Sequence, residues 1–348
     1  MIHIDNEHPP PEQQPKRRRM MPDHANKRFS SPAAISFVPH MGLPIPMSTP
    51  DLSLSARAHL HTFETACREG NLPAVMAVTL SDARTPELLH HGLMLALAAG
   101  HVEITHHLLA NGAFIDRRTP VQILSAPEAV QVPLFDLLAQ HGWTPGELGA
   151  VLLPRVVTNL PLLNWFLLHG VDPNLGTAAG DVANDPNPRS CAALEAASAR
   201  GEVEAVRLLL DAGAEIHYGT PLHFAAGACS PGISPRSVTT KEFDASRIPV
   251  MALLVERGAD VNQKGESRVV VHHPIMYAAM AGAVERVRWL VDQGADPEAK
   301  GAWGSAAEYV AMIGSDEMRS IVQRGIERKQ RSRISRQSFA IRPKSVVR

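Results

Sequence analysis

The feature that most constrains this chain is a recurring pattern in which an apolar helical stretch ends at a glycine-led turn. In "GEVEAVRLLLDAGAEIHYGTPLHFAAG" (201–227), three leucines precede Gly213 and a new helical stretch begins at Thr220. Apolar residues at i, i+3 and i+4 indicate helices with one buried face. Comparable stops, spaced 28 to 45 residues apart, are "NGAFID" (111–116), "HGWTPG" (141–146), "HGVDPN" (169–174), "AGAEIH" (212–217), "RGADVN" (257–262) and "QGADPE" (293–298).

A spacing of this size indicates a repeat architecture, in which each unit is a helix, a tight turn, a second helix and a glycine-led loop. Such a unit has two apolar faces and buries both only when a neighbouring unit packs on each side. The glycine after each second helix suits the C′ position of a helix, where φ is positive and a Cβ atom would clash. The pattern therefore predicts an all-α solenoid of stacked helix-turn-helix repeats.

The residues Thr220, Pro221, Leu222, His223 and Ala225 match the T-P-L-H-x-A signature, so the chain resembles the ankyrin repeat family. The resemblance covers residues 57–325 and is weak at 117–175, where prolines interrupt the pattern. It implies seven or eight repeats with short hairpin loops between them. It also implies atypical end caps at 57–80 and 302–325, a structural role for His223, and a groove lined by first helices and loops.

Both ends of the chain differ from the array. Residues 1–50 are rich in proline and lack apolar periodicity, which predicts a disordered tail. Residues 326–348 are predicted to form a second, basic tail.

Two segments rich in Gly, Pro, Ser and Asp, 176–189 and 227–248, are predicted to be exposed loop insertions. The most apolar stretch, 148–170, contains two prolines, an arginine and two asparagines, which favours two short buried helices over a membrane span.

Charge is unevenly distributed along the chain. The whole chain carries a formal charge of −1, and residues 1–50 carry +2 while residues 324–348 carry +8, which leaves −11 for the middle. The basic end is predicted to bind nucleic acid or an anionic membrane, or to fold back on the acidic body. A nuclear-localisation signal or an unspecific charged run is predicted near the N-terminus, formed by Lys16, Arg17, Arg18, Arg19, Lys27 and Arg28.

Motifs of catalysis and cofactor binding do not occur in the sequence. Phosphate-binding glycine loops, HExxH, GxSxG and CxxC are all missing. The three cysteines are widely separated, and Cys67 is predicted to lie in the core while Cys229 is predicted to be exposed. Neighbouring histidines on a helix point about 100° apart and do not readily share one metal ion. We therefore expect no enzyme activity, no cofactor and no metal site.

The predicted function is that of a non-catalytic scaffold or adaptor that binds a protein through the concave face and hairpin tips of the array. The acidic body favours a partner with a basic segment. The alternative is a nuclear regulatory protein whose basic tails contact nucleic acid while the repeats recruit a protein. We expect a monomer in the cytoplasm, the nucleus or both. The candidate partner-binding residues are Arg117, Arg118, Asn174, Tyr218, Lys264, Lys300 and Trp303.

Overall fold

The computed structural model describes residues 54–82, 84–177, 186–229, 240–265 and 272–340, so the predicted tail at 1–50 lies outside the described residues. The described residues form helices α1 (Leu54–Glu69), α2 (Leu72–Thr79), α3 (Pro86–Ala99), α4 (Val102–Ala110), α5 (Thr119–Gln122), α6 (Glu128–Gln140), α7 (Gly146–Val156), α8 (Leu160–Leu168), α9 (Ala192–Arg200), α10 (Val203–Asp211), α11 (Pro221–Gly227), α12 (Lys241–Ser246), α13 (Ile248–Glu256), α14 (Pro274–Met280), α15 (Val284–Asp292), α16 (Ala306–Ile313) and α17 (Asp316–Ala340). The strands are β1 (Gly176–Thr177), β2 (Pro186–Asn187), β3 (Lys300–Gly301) and β4 (Gly304–Ser305).

Within these ranges the helices pair into eight hairpins, and the prediction of an all-α solenoid of stacked helix-turn-helix repeats is confirmed. The pairs are α1–α2, α3–α4, α5–α6, α7–α8, α9–α10, α11–α13, α14–α15 and α16–α17. First helices pack on first helices, as α9 does on α11, and second helices pack on second helices, as α4 does on α6. Each hairpin thereby covers the apolar flank of the next one.

The predicted glycine turns are present at all six stops. Their φ angles range from 76° to 101° and belong to Gly112, Gly142, Gly170, Gly213, Gly258 and Gly294. An L-residue with a side chain rarely adopts this conformation, so the glycine ends each second helix and sends the chain into the inter-repeat loop.

The prolines at 117–175 do not prevent helix formation in that region. Pro161 occupies the first turn of α8, where its missing N–H is not needed, and the side chain of Asn159 accepts a hydrogen bond from the backbone N–H of Leu162 at 3.2 Å. An aromatic cluster fills the core there: the Phe135 ring lies 5.0 Å from Phe166 and 5.5 Å from Trp165. This packing compensates for the weak signature. The prediction of two short buried helices in 148–170 is confirmed by α7 and α8.

The C-terminal boundary of the array differs from the prediction. Residues 326–340 were expected in a solvated tail, but they continue α17 without interruption. The helix docks on the preceding hairpin because Gly325 lets it approach Val291 and Pro297, where a Cβ atom would lie 3.0 Å from each side chain. Two basic side chains of this segment form ion pairs with the acidic body, as one of the predicted alternatives requires.

The two predicted insertions lie on different connections. In the first, Gly176 and Thr177 pair with Asn187 and Pro186 as a two-residue antiparallel ladder in a loop between hairpins. The second lies inside the sixth hairpin, between α11 and α13. Residues 241–246 form α12, in which four residues are exposed as predicted, while Asp244 is buried and Phe243 is half-buried. Thr240 begins that helix by accepting a hydrogen bond from the Phe243 N–H at 3.2 Å.

Among the described helices, none combines the length and apolarity needed to cross a membrane.

Candidate protein-interaction surface

The candidate surface consists of the six loops that follow the second helices, here called tips 1 to 6 after their glycines 112, 142, 170, 213, 258 and 294. Four tips share one backbone device, in which an aspartate Oδ1 accepts a hydrogen bond from the N–H two residues later. The distances are 2.8, 2.8, 2.8 and 3.0 Å for Asp116, Asp172, Asp260 and Asp296. These carboxylates therefore hold the loops in shape.

Two tips are bridged to a neighbour by an asparagine side chain. The Asn174 amide donates to the Gly213 carbonyl oxygen at 2.9 Å, and its Oδ1 accepts from the Glu215 N–H at 2.8 Å. Asn262 repeats both bonds with Gly294 and Asp296, at 3.1 and 2.7 Å. The amide of Asn174, which we predicted to bind a partner, is therefore occupied in joining tip 3 to tip 4.

The position two residues after each tip glycine distinguishes the first two tips from the others. It is acidic in tips 3 to 6, where it holds Asp172, Glu215, Asp260 and Asp296. In tips 1 and 2 it holds Phe114 and Thr144. The preceding position is Ala or Val in five tips but Trp143 in tip 2. Tip 1 thus carries a phenylalanine where tips 3 to 6 carry a carboxylate. Tip 2 carries a tryptophan where the other five tips carry Ala or Val.

Phe114 is exposed but fixed in place. Its side chain is 45% exposed, and its ring stacks on the His90 ring with centroids 4.0 Å apart and an interplanar angle of 7°. His90 Nδ1 lies 2.8 Å from the Phe114 carbonyl oxygen and so holds the histidine on the same loop. Between tips 1 and 2 lies a cleft of about 460 Å³, lined by residues 113–115 and 141–144. We call it the tip cleft.

Two arginines follow the cleft residue Ile115 closely in the sequence. Arg117 and Arg118, both predicted partner-binding residues, are exposed and form no ion pair within the described part of the chain. The neighbouring Asp116 is used internally, since its Oδ1 also accepts from the Thr119 N–H and hydroxyl at 2.9 Å. Partial burial alone would raise the pKa of Asp116, but these hydrogen bonds and the charge of His90 lower it.

Tip 6 also presents an exposed aromatic ring. Trp303 lies between β3 and β4, is 49% exposed, and its ring centroid is 4.9 Å from that of His272. Lys300 Nζ lies 3.3 Å from Glu308 Oε1, and Glu308 completes a capping box with Ser305 at the start of α16. Both predicted residues therefore lie at a tip, with Lys300 paired inside it.

The acidic side of tip 6 is covered by α17. Lys329 Nζ lies 2.6 Å from Asp296 Oδ2 and 3.1 Å from Glu298 Oε2. Partial burial alone would lower the pKa of Lys329, but the two carboxylates raise it. Arg328 pairs with Asp292 at 3.2 Å. The C-terminal basic segment therefore neutralises part of the acidic body.

The remaining predicted partner-binding residues are separated along the row of tips. Tyr218 is half-buried against the core in tip 4, next to His217. Lys264 is exposed after tip 5. The basic residues predicted near the N-terminus, 16–19 and 27–28, lie outside the described residues.

The sequence analysis missed a fully buried arginine. Arg286, on α15, occupies the position that Ile104 and Ala205 hold in their own second helices, and all three are buried. Its Nε donates to Asp244 Oδ1 at 2.8 Å, and its Nη1 donates to the carbonyl oxygens of Ala226 and Ala228 at 2.7 and 2.9 Å. The inserted α12 is thereby fixed to the next hairpin. An arginine in an otherwise apolar helix position was the available signal.

Asp244 also caps α15, since it accepts hydrogen bonds from the Glu285 and Arg286 N–H groups at 2.6 and 3.2 Å. The Phe243 ring lies beside two arginines. Its centroid is 4.3 Å from the guanidinium carbon of Arg247 and 5.9 Å from that of Arg286. These contacts join α12 to hairpins six and seven through the buried Asp244 and the half-buried Phe243.

The buried histidine and cysteines have structural surroundings. His223 Nε2 lies 3.1 Å from the carbonyl oxygens of Gln263 and His272, and burial lowers its pKa to about 4, so it is neutral and donates to them. Its predicted structural role is confirmed. Burial raises the pKa of the Cys67 thiol to about 12, in agreement with the predicted core position. Cys229 is half-buried, where exposure was predicted. The described residues hold no cluster of three His, Cys, Asp or Glu side chains placed to bind a metal ion.

A match to a protein-family model supports the resemblance. The ankyrin repeat family model matches residues 272–302, which span α14, α15 and tip 6. No curated protein matches. Similar solved structures include the human ASB11 ankyrin repeat domain, with 21% identity over 76% of this chain and 96% of that one and a TM-score of 0.38. Another is the ankyrin repeat domain of Bcl-3, with 19% identity over 70% and 87% of the two chains and a TM-score of 0.38.

Proposed function

We propose that the chain is a non-catalytic scaffold or adaptor that binds a protein partner through its tips, since the ankyrin repeat family model matches residues 272–302 and the described residues form eight stacked hairpins. One observation carries the proposal. Exposed aromatic rings, Phe114 and Trp303, stand at tips near the two ends of the array, each held against a histidine ring. Aromatic side chains that are ordered before binding lose little entropy on contact and are frequent hot spots of interfaces.

The test compares capture of partners from native cells by three forms of the full chain. We expect the double variant Phe114→Ala, Trp303→Ala to capture at least tenfold less of each specific partner than the wild-type chain does. The matched control is Met312→Ala, which removes a side chain that is 74% exposed near the C-terminal end of α16, where the chain turns into α17. If the double variant and the control retain partners equally, binding through the tips is wrong.

The other functional expectations remain proposals. We propose a location in the cytoplasm, the nucleus or both, and a monomeric state. The nucleic-acid alternative depends on the basic tails, and within α17 both Arg328 and Lys329 are engaged with carboxylates of the array. That engagement reduces the charge available to a phosphate backbone, so protein binding is the better supported function.

A further inference from the structure

We infer that the tip cleft binds an acidic peptide segment that inserts one large apolar side chain between Phe114 and Trp143. The inference rests on the proposed function and specifies the partner chemistry at one end of the array. It differs from the basic partner that the overall charge predicts, because local charge at the contact differs from the charge of the whole body.

The apolar part of the inference follows from the departure of tips 1 and 2 from the pattern of the others. Where tips 3, 4 and 5 place an exposed carboxylate, tip 1 places a phenylalanine that is 45% exposed. Phe114, stacked on His90, and Trp143 both line a cleft of about 460 Å³.

The acidic part follows from the charges that surround the cleft. Its lining residues, 113–115 and 141–144, include no carboxylate. The Asp116 carboxylate accepts hydrogen bonds from N–H groups of its own loop. Arg117 and Arg118 are exposed and form no ion pair with a carboxylate among the described residues. Guanidinium groups recognise carboxylates in a two-pronged geometry. Carboxylates on either side of the inserted residue therefore find unpaired partners at this tip.

The acidic body does not cancel this preference. At physiological ionic strength the Debye length is about 8 Å, so carboxylates on distant tips are largely screened from a peptide held at tip 1. Tips 3 to 6 carry the acidic residues at the equivalent position, and tip 6 already has Lys329 on its carboxylates. Exposed arginines without ion pairs among the described residues thus follow tip 1, whereas the position two residues after the glycine is acidic in tips 3 to 6.

The experiment selects ligands without bias and then tests where they bind. A random dodecapeptide library on phage is selected on the folded full chain, and enriched sequences are synthesised and titrated by fluorescence anisotropy. We expect enriched peptides to contain one Trp, Phe or Leu flanked by at least two Asp or Glu residues. The variant Phe114→Asp installs the type of residue that other tips carry, so it folds, and we expect it to weaken binding at least tenfold.

Two further variants separate the contributions of the ring and the charges. Arg117→Glu with Arg118→Glu is expected to weaken binding at least tenfold, whereas Glu215→Ala, at the matching position of tip 4, leaves it unchanged. Enrichment of basic peptides, no enrichment at all, or equal binding to Phe114→Asp would overturn the inference. Peptides that bind Phe114→Asp normally but are lost in Trp303→Ala would leave the proposed function standing and move the site to tip 6.

Discussion

The first four hairpins and the last four share one architecture but are fixed in different ways. In the first half, apolar and aromatic packing dominates the core, and tip 1 leaves Arg117 and Arg118 without ion pairs among the described residues. In the second half, a buried ion pair joins α12 to α15 and the last helix covers the acidic tip 6. Charged side chains that form ion pairs within the stack are therefore not available to bind a partner.

The largest expected effect on stability concerns the buried ion pair of the second half. Arg286→Leu leaves Asp244 buried without its cation, so we expect a loss of about 3–5 kcal/mol in the free energy of unfolding, measured by urea titration. Hydrogen exchange is expected to rise in α14–α17 before it rises in α3–α8. Such a pattern sharpens the contrast between the halves.

Two controls decide how that loss is interpreted. Arg207→Leu changes an exposed arginine on α10 and is expected to shift stability by no more than about 0.5 kcal/mol. The double variant Arg286→Leu, Asp244→Asn is expected to lose less than Arg286→Leu alone, because no unpaired charge remains. If the single and double variants are equally destabilised, the ion pair is not what holds α12.

A smaller effect is expected at the bridge between the halves. Asn174→Ala removes two hydrogen bonds that join tip 3 to tip 4, and we expect a loss of about 1–2 kcal/mol in urea unfolding. Asn164→Ala, an exposed asparagine on α8, is the matched control and is expected to be close to neutral. If Asn174→Ala leaves the free energy of unfolding unchanged, the bridge does not stabilise the stack, and Asn174 is again a candidate for partner binding.

The smallest effect is expected where α17 covers tip 6. Lys329→Ala removes a partly exposed ion pair, so we expect a loss of about 1 kcal/mol or less at low salt. In 1 M NaCl, where the Debye length is about 3 Å, the difference from wild type is expected to disappear. A loss that persists at high salt, measured by thermal unfolding, would mean that packing of the lysine stem and not its charge is responsible.

The sequence predicted the architecture well because repetition exposes it many times. The six glycine stops, the apolar helix faces and the signature around His223 each report the same helix-turn-helix unit. The weak region 117–175 was still placed in the array, although its aromatic packing between Phe135, Trp165 and Phe166 was not foreseen. Periodicity identifies which side of a helix is buried, and it does not identify which side chains meet across the stack.

The candidate surface was predicted less completely. Arg117, Arg118 and Trp303 do lie at tips, but Asn174 is occupied and Lys300 is paired. Phe114 was overlooked because a single exposed aromatic residue in a loop is common. It becomes unusual only when the six tips are aligned, since four of them carry an acidic residue at the same position. Asp244 and Arg286 were missed because they are 42 residues apart, and only the folded insertion brings them together.

The arginine inside α15 has an evolutionary consequence. A chain with a short connection in the sixth hairpin has no aspartate to receive it, so an aliphatic residue is then the only tolerable occupant. Gain of the inserted segment and gain of the arginine are each unfavourable alone and compatible together. We therefore expect related chains to carry both the inserted segment and the arginine, or neither.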